Sequence, residues 1–368
     1  MHSIGTTCAA PSKTFEEPKT TCIAPEQRAQ HQAKRSKNQK KSSQNKNNKN
    51  MAEEIIEAIE RYGLSKRSRN RTLFSRIGVV GCGKEGSVIA TTAALKGIEV
   101  VFFEPCESSI ENAYSRIGDK LDKKIENWGL TENEKKATLS KIQGTSDYND
   151  FAGCDFVIEA IRYDNKNGER SVNQRKEVFL KLEEVLSEKA IIASNVSTVV
   201  VTELASELQF QDRCIGLHFM SNTPDSNIIE VVRGLNTSDN TFEKVCQFAK
   251  AISHDFVPVM ESSGLISVRL FLTQLNEACG ILMEGIASVE DIDKVMTVGF
   301  GHRQGVFRTA DQMGIEKVVK LLENLYDEYG NIKYKPAPVL LRLFRARHFG
   351  VSTNRGFYNY DEHGNIIK

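Results

Sequence analysis

The chain has 368 residues, and its hydrophobic fraction of 40% is sufficient for two packed domains. The net charge of +1 at pH 7 excludes a uniformly basic nucleic-acid-binding protein, and the lack of an apolar run of roughly 18 residues argues against a membrane-spanning helix. The eight cysteines form no C-x-x-C pair and no cluster with histidine, which predicts reduced thiols, no metal site and a cytoplasmic protein.

Charge is distributed unevenly along the chain. Residues 1–50 contain ten Lys or Arg against three Glu, whereas the remainder contains 39 basic and 45 acidic residues. Residues 31–50 are nearly all Lys, Asn, Gln or Ser, with no aromatic side chain among the charges. We therefore predict a disordered basic low-complexity tail over residues 1–50, with no nucleic-acid partner. Residues 51–75 are predicted to form a short helix and a linker.

From residue 76 the pattern changes to short apolar strands that alternate with helices, which is typical of a parallel sheet covered on both faces. The predicted strands are residues 77–80, 99–103, 156–161, 190–194, 214–219 and 228–232. The predicted helices among them are residues 88–96, 108–128 and 175–186. These elements predict a doubly wound α/β domain over residues 76–260.

Beyond residue 259 the strand signals fade and helical periodicity takes over. The predicted helices are residues 265–285, 289–298, 315–329 and 338–346. Residues 261–368 are therefore predicted to form a helical C-terminal domain. The predicted fold class is α/β, with an N-terminal Rossmann-type doubly wound parallel sheet followed by an all-helical C-terminal domain.

A glycine-rich turn, Gly-Cys-Gly-Lys-Glu-Gly at residues 81–86, follows the first predicted strand and leads into the first predicted helix. In this context Gly81 permits a tight turn, Gly83 lets a pyrophosphate approach the backbone, and Gly86 lets the helix pack close to the strand. The N–H groups and the positive dipole at the start of that helix favour a phosphate. The turn therefore predicts a dinucleotide-binding site.

An acidic residue, Glu104, ends the second predicted strand, 23 residues after Gly81. A carboxylate there can accept hydrogen bonds from both hydroxyls of the adenosine ribose and would repel a 2′-phosphate, so the expected cofactor is NAD. Residues 76–260 are therefore predicted to form an NAD-binding Rossmann domain. Two charges in the turn are unusual beside a pyrophosphate. Lys84 could help to neutralise it, whereas Glu85 would oppose binding unless its side chain faces solvent.

A histidine and a carboxylate lie in consecutive apolar strands. Glu230 is inside its strand, where a carboxylate is costly to bury unless it is paired, and His218, near the end of the preceding strand, is the natural partner. The pair would fix the tautomer of His218 and make it a better general base, as the oxidation of an alcohol requires. Ser197 follows a neighbouring strand, and ligands of doubly wound sheets bind at this carboxyl edge.

Seven short segments together resemble the L-3-hydroxyacyl-CoA dehydrogenases, including the bacterial 3-hydroxybutyryl-CoA dehydrogenases. They occur in the order of that family, and the resemblance covers most of the chain from residue 77 to residue 360. The segments are Ser-Asn-Val-Ser at 194–197, His-Phe at 218–219, Glu-Val-Val at 230–232, Ser-Gly-Leu-Ile at 263–266, Asn-Glu-Ala at 276–278, Glu-Asp-Ile-Asp at 290–293 and Gly-Phe-Tyr-Asn-Tyr at 356–360.

The resemblance implies a Rossmann domain that binds NAD, a helical domain that mediates a homodimer, and an acyl-CoA substrate in the cleft between them. The implied reaction interconverts 3-hydroxyacyl-CoA and 3-oxoacyl-CoA, with 3-hydroxybutyryl-CoA and acetoacetyl-CoA as the expected pair. By resemblance, His218 is the general base, Glu230 orients it, and Ser197 hydrogen-bonds the reacting oxygen. Asn195, in the same segment as Ser197, is expected on the cofactor side.

The chain departs from the family pattern at several positions. Val268 stands where the family usually has Asn, so a polar contact to the substrate or the base is expected to be missing. Extra length between Glu159 and Arg175 prevents placement of the family's cofactor-side Glu and Lys. These departures leave two alternatives open: a dehydrogenase of the same fold acting on a hydroxy acid without CoA, and a non-catalytic NAD-binding interaction protein.

Overall fold

The computed structural model describes residues 74–161, 171–220 and 226–367. These residues belong to one compact unit, Asn70–Lys368. The predicted tail at residues 1–50 lies outside the described residues, as does all of the predicted helix and linker except residues 74 and 75. Within the described ranges, no helix has both the length and the apolar character that crossing a membrane requires.

One sheet organises the first part of the described chain. Its strands are β1 (Arg76–Val80), β2 (Glu99–Phe103), β3 (Ile142–Thr145), β4 (Phe156–Glu159), β5 (Ile191–Ser194), β6 (Cys214–Phe219), β7 (Ile228–Arg233) and β8 (Asp255–Met260). Among the residues described, these eight strands lie in the order β3-β2-β1-β4-β5-β6-β7-β8. The chain reverses its direction of travel across the sheet between β3 and β4, which is the pattern of a doubly wound fold.

Helices cover both faces of this sheet. They are α1 (Lys84–Leu95), α2 (Glu107–Glu126), α3 (Glu132–Leu139), α4 (Val172–Val185), α5 (Val201–Leu204) and α6 (Asp239–Ala251). Side chains of β1 alternate between two cores: Ile77 and Val79 pack in one, and Val80 packs in the other. This alternation is what the period of a strand requires when both of its faces are buried.

The last part of the described chain is mainly helical and has a core of its own. Its helices are α7 (Ser267–Met283), α8 (Val289–Lys294), α9 (Val306–Met313), α10 (Ile315–Tyr329) and α11 (Pro338–Arg345). A single π-helical turn, Val295–Gly299, extends α8. Two short antiparallel strands, β9 (Asn359–Tyr360) and β10 (Ile366–Ile367), are a departure from the all-helical domain that the sequence predicted.

The predicted parallel sheet is confirmed for β1 to β6, whereas β7 runs antiparallel to β6. The connection from β6 to β7 spans only residues 220–227, which is too short for the crossover that parallel neighbours need. The predicted division of the chain at residue 260 stays a prediction.

Candidate active site

The glycine turn connects β1 directly to α1, which begins at Lys84 and not at the predicted residue 88. Gly81 has a φ of +88°, and a Cβ added there would lie 2.9 Å from the Cα of Ile161. A Cβ on Gly86 would overlap the carbonyl oxygen of Gly81, whereas one on Gly83 would meet no described atom within 4 Å. Packing therefore requires glycine at positions 81 and 86, whereas Gly83 exposes its backbone to open space.

Glu104 lies immediately after β2, and its Oε1 accepts a hydrogen bond of 2.6 Å from the backbone N–H of Cys82. This contact holds the carboxylate against the glycine turn. Glu104, Arg116 and Tyr148 border a cavity of about 460 Å³ that also reaches Gly83. Open glycine backbone beside a cavity with a carboxylate at its rim fits the diphosphate and adenosine parts of NAD.

The two unexpected charges of the turn contact the helical part of the chain. Lys84 Nζ donates a hydrogen bond of 3.2 Å to the carbonyl oxygen of Gln312, at the end of α9. Glu85 Oε1 lies 3.5 Å from Lys317 Nζ on α10. The charge of Glu85 is therefore paired with a lysine, and the turn is attached to the helices that face it.

His218 and Glu230 are directly opposite each other in the antiparallel register of β6 and β7. Nδ1 of His218 lies 2.7 Å from Oε2 of Glu230. The same oxygen accepts a hydrogen bond of 2.7 Å from the Ser267 hydroxyl, and Oε1 accepts the backbone N–H groups of Ile266 and Ser267 at 3.0 Å each. The pairing predicted for His218 and Glu230 is confirmed, and the carboxylate receives further donors from the start of α7.

This set of donors determines the charge of the carboxyl group. Burial raises the pKa of Glu230, but the hydrogen bonds from His218 and Ser267 outweigh it and hold that pKa below its usual range. The carboxylate is therefore ionised at neutral pH, although only 2% of the residue is exposed. A negative oxygen next to Nδ1 keeps the proton of a neutral imidazole on that nitrogen, which leaves Nε2 as the basic atom.

Ser197 and Asn195 lie on the loop that follows β5, and both line a second cavity, of about 210 Å³, together with His218. The side-chain oxygen of Asn195 accepts a hydrogen bond of 2.9 Å from the backbone N–H of Phe219. The carbonyl oxygen of Ser197 accepts one of 2.6 Å from the N–H of Gly264. The structure thus gathers Ser197, Asn195 and His218 around one space; their chemical roles stay predictions.

The structure contains a buried ion pair beside the same cavity that was not predicted from the sequence. Glu159, at the end of β4, is fully buried and accepts hydrogen bonds from Arg175, from the Ser194 hydroxyl and from the Ile161 N–H. Arg175 also lines the cavity. The signal was available, because Glu159 ends an apolar strand and needs a partner for the same reason that Glu230 does.

Val268 lies in the core of the helical part, next to Leu272, and is 7% exposed. It is not among the residues that line the cavity. The sequence predicted that valine here removes a polar contact to the substrate or the base. The hydroxyl of the preceding residue, Ser267, donates to Glu230. The loss of a contact to the substrate or to His218 at position 268 stays a prediction.

Two family models match the chain in succession. The model of the 3-hydroxyacyl-CoA dehydrogenase NAD binding domain matches residues 76–262, and the model of the 3-hydroxyacyl-CoA dehydrogenase C-terminal domain matches residues 264–360. The chain belongs to the 3-hydroxyacyl-CoA dehydrogenase family. The glycine turn lies in the NAD-binding domain of this family, and both the predicted resemblance and the predicted cofactor are confirmed.

Members of the 3-hydroxyacyl-CoA dehydrogenase family align with most of the chain. A 3-hydroxybutyryl-CoA dehydrogenase from Clostridioides difficile is 33% identical over 287 residues, which are 78% of this chain and 100% of the relative. The human mitochondrial hydroxyacyl-coenzyme A dehydrogenase is 29% identical over 318 residues, 84% of this chain and 99% of the relative. The crystal structure of (S)-3-hydroxybutyryl-CoA dehydrogenase from Ralstonia eutropha matches with a TM-score of 0.71 at 32% identity, covering 78% of this chain and 100% of that one.

The glycine turn provides a matched pair of variants. We expect Gly83→Ala to fold normally but to bind NADH at least about tenfold more weakly, because its Cβ would project into the space available to a diphosphate. Gly86→Ala should instead lower the free energy of unfolding, because its Cβ would overlap the Gly81 carbonyl. Fluorescence titration with NADH and urea unfolding separate the two effects. Wild-type NADH affinity in Gly83→Ala would show that the diphosphate binds elsewhere.

Proposed function

We propose that the chain is an NAD-dependent 3-hydroxybutyryl-CoA dehydrogenase, which interconverts 3-hydroxybutyryl-CoA and acetoacetyl-CoA. The observation that carries the proposal is the hydrogen bond between His218 and Glu230, with His218 lining one cavity together with Ser197 and the glycine turn. The names of the relatives from Clostridioides difficile and Ralstonia eutropha support the short acyl chain.

We assign to His218 the role of accepting the proton of the substrate hydroxyl. Oxidation of the C3 hydroxyl to a ketone releases one proton and one hydride, and bound NAD⁺ supplies the hydride acceptor. Nε2 of His218 takes the hydroxyl proton, and the ionised carboxylate of Glu230 stabilises the imidazolium that results. In the reverse direction the imidazolium returns the same proton to the oxygen of the reduced ketone.

Three polar side chains around the cavity complete the assignment. The Ser197 hydroxyl donates to the reacting oxygen, where negative charge develops as the proton leaves. Because the amide oxygen of Asn195 is engaged by Phe219, its NH₂ group is the end that can donate to the cofactor side. Arg175 contributes positive charge to the cavity wall while it neutralises Glu159.

Two features that left other functions open have structural explanations. Glu85 of the glycine turn pairs with Lys317, and Val268 packs in the helical core without lining the cavity. The paired charge of Glu85 therefore does not argue against a bound diphosphate, and the assays below compare the alternatives that Val268 leaves open.

Turnover is tested most simply in the reductive direction. Purified protein mixed with acetoacetyl-CoA and NADH should consume NADH, and His218→Ala should lower kcat by about a thousandfold, as expected for the loss of a general base. NADH affinity should stay unchanged in that variant. His302→Ala serves as the control, because His302 is exposed and is not among the cavity residues.

Two results would contradict the proposal. One is full turnover in His218→Ala, which would move the proton transfer to another group. The other is faster turnover of free hydroxy acids such as 3-hydroxybutyrate or gulonate than of the CoA thioester, which would favour the alternative without CoA.

We propose further that the protein is a cytoplasmic homodimer, joined through the helical domain at residues 261–368. Large apolar side chains are exposed in this part of the chain, and pairing two copies would remove them from water. They include Leu270, Ile286, Val298 and Phe300. The six cysteines among the described residues are free thiols, which supports a reducing compartment.

Sedimentation velocity tests the dimer. Wild type should sediment as a dimer, and Leu270→Asp should shift it toward monomer, because a carboxylate would replace an apolar side chain in the proposed interface. Trp128→Asp is the matched control: Trp128 is 96% exposed but lies after α2, in the sheet-containing part of the chain. A monomeric wild type, or equal effects of the two substitutions, would refute the proposed interface.

A further inference from the structure

The start of helix α7 contacts the base through the carboxylate of Glu230. Ile266 and Ser267 donate their backbone N–H groups to Oε1, which fixes that side of the carboxylate. The Ser267 hydroxyl and His218 Nδ1 share Oε2, each at 2.7 Å. Of the four donors, the Ser267 hydroxyl is the one that a change of side chain can remove without touching the backbone or the base.

We propose that Ser267 is a positioning residue for the dehydrogenase reaction, and that its hydroxyl both orients the Glu230 carboxylate and limits how strongly that carboxylate holds the proton on His218. The proposal rests on the proposed function for its kinetic consequences. Ser267 acts on His218 through Glu230, since both its backbone N–H and its hydroxyl donate to that carboxylate.

The orienting effect follows from the geometry of the carboxylate. Backbone donors hold Oε1 and so restrain rotation of the carboxylate, but tilting of the side chain about its other bonds could still lengthen the contact between Oε2 and the imidazole. A second donor on Oε2 removes that freedom. Buried carboxylates are also costly when they lose a partner, so the hydroxyl contributes to holding Glu230 in its buried position.

The electrostatic effect follows from sharing one oxygen. A hydroxyl that donates to Oε2 draws negative charge away from the contact with Nδ1, so the imidazolium form of His218 is stabilised less than it would be by Glu230 alone. The other charged groups that face this cavity are Lys84 and Glu85 from α1, Arg175 from α4, and Glu316, Lys317 and Lys320 from α10. They remain unchanged when Ser267 is replaced, so a change in titration reports on the hydroxyl.

The kinetic experiment uses Ser267→Ala, with Ser267→Thr as the variant that keeps a hydroxyl. In 3-hydroxybutyryl-CoA oxidation with NAD⁺, Ser267→Ala should lower kcat by about tenfold and move the acid limb of the kcat/KM profile to higher pH by about half a unit. Only a neutral imidazole can accept the hydroxyl proton. Because Glu230 stabilises the imidazolium more strongly in Ser267→Ala, the acid limb moves to higher pH. Ser267→Thr should keep the wild-type limb, and NADH affinity should be equal in all three proteins.

The control variant removes a serine hydroxyl that lies outside the active site. Ser206→Ala deletes an exposed hydroxyl that donates only to the carbonyl oxygen of Glu203, so it should match wild type in every assay. A fall in kcat without a shifted limb, or wild-type behaviour of Ser267→Ala, would overturn the proposal. A purely structural role for Ser267 predicts the first of these outcomes.

A second measurement does not depend on turnover. The chain has seven histidines, so selective isotope labelling gives few imidazole signals, and His218→Asn identifies the one from the base. The NMR titration midpoint of that signal should lie at higher pH in Ser267→Ala than in wild type. If wild type shows no turnover, the proposed function fails while this titration still decides the role of Ser267; an unmoved midpoint overturns it.

Discussion

A buried negative charge at Glu230 is the constraint on which the rest of the site depends. Its carboxylate lies inside the strand β7, where water cannot solvate it, so four donors must replace the solvent. One donor is His218 on the neighbouring strand, and the other three belong to the start of α7. Satisfying one charge therefore fixes the imidazole and also attaches the helical part of the chain to the carboxyl edge of the sheet.

The glycine turn makes a second connection between the same two parts of the chain. Lys84 donates a hydrogen bond to the end of α9, and Glu85 pairs with Lys317 on α10. Next to them, the backbone of Gly83 borders open space. The turn and the base thus line one cavity, and each is held by contacts to the helices. A cofactor at the turn and a substrate near His218 would meet in a cavity whose walls come from both parts of the chain.

The central strands, the glycine turn and the pairing of His218 with Glu230 could be predicted because each has a strong local signal. The edge strands β3 and β8 were missed: Ile142–Thr145 has little apolar character, and Asp255–Met260 is half exposed and contains Pro258, which edge strands tolerate. Helices α3, α5, α6 and α9 were missed as well. The contact of Ser267 with Glu230 joins elements 37 residues apart, so spacing along the chain could not reveal it, whereas the partner of Glu159 could have been sought from its place at the end of an apolar strand.

The central claim, that an ionised Glu230 sustains His218 as the base, is tested most directly with Glu230→Gln. This substitution keeps the size of the side chain and removes the charge. We predict that kcat for acetoacetyl-CoA reduction falls by roughly a hundredfold, while NADH affinity and the far-ultraviolet circular dichroism spectrum stay those of wild type. A folded variant whose kcat lies within about twofold of wild type would contradict the account, since a change so small is less than the loss of a charged hydrogen bond produces.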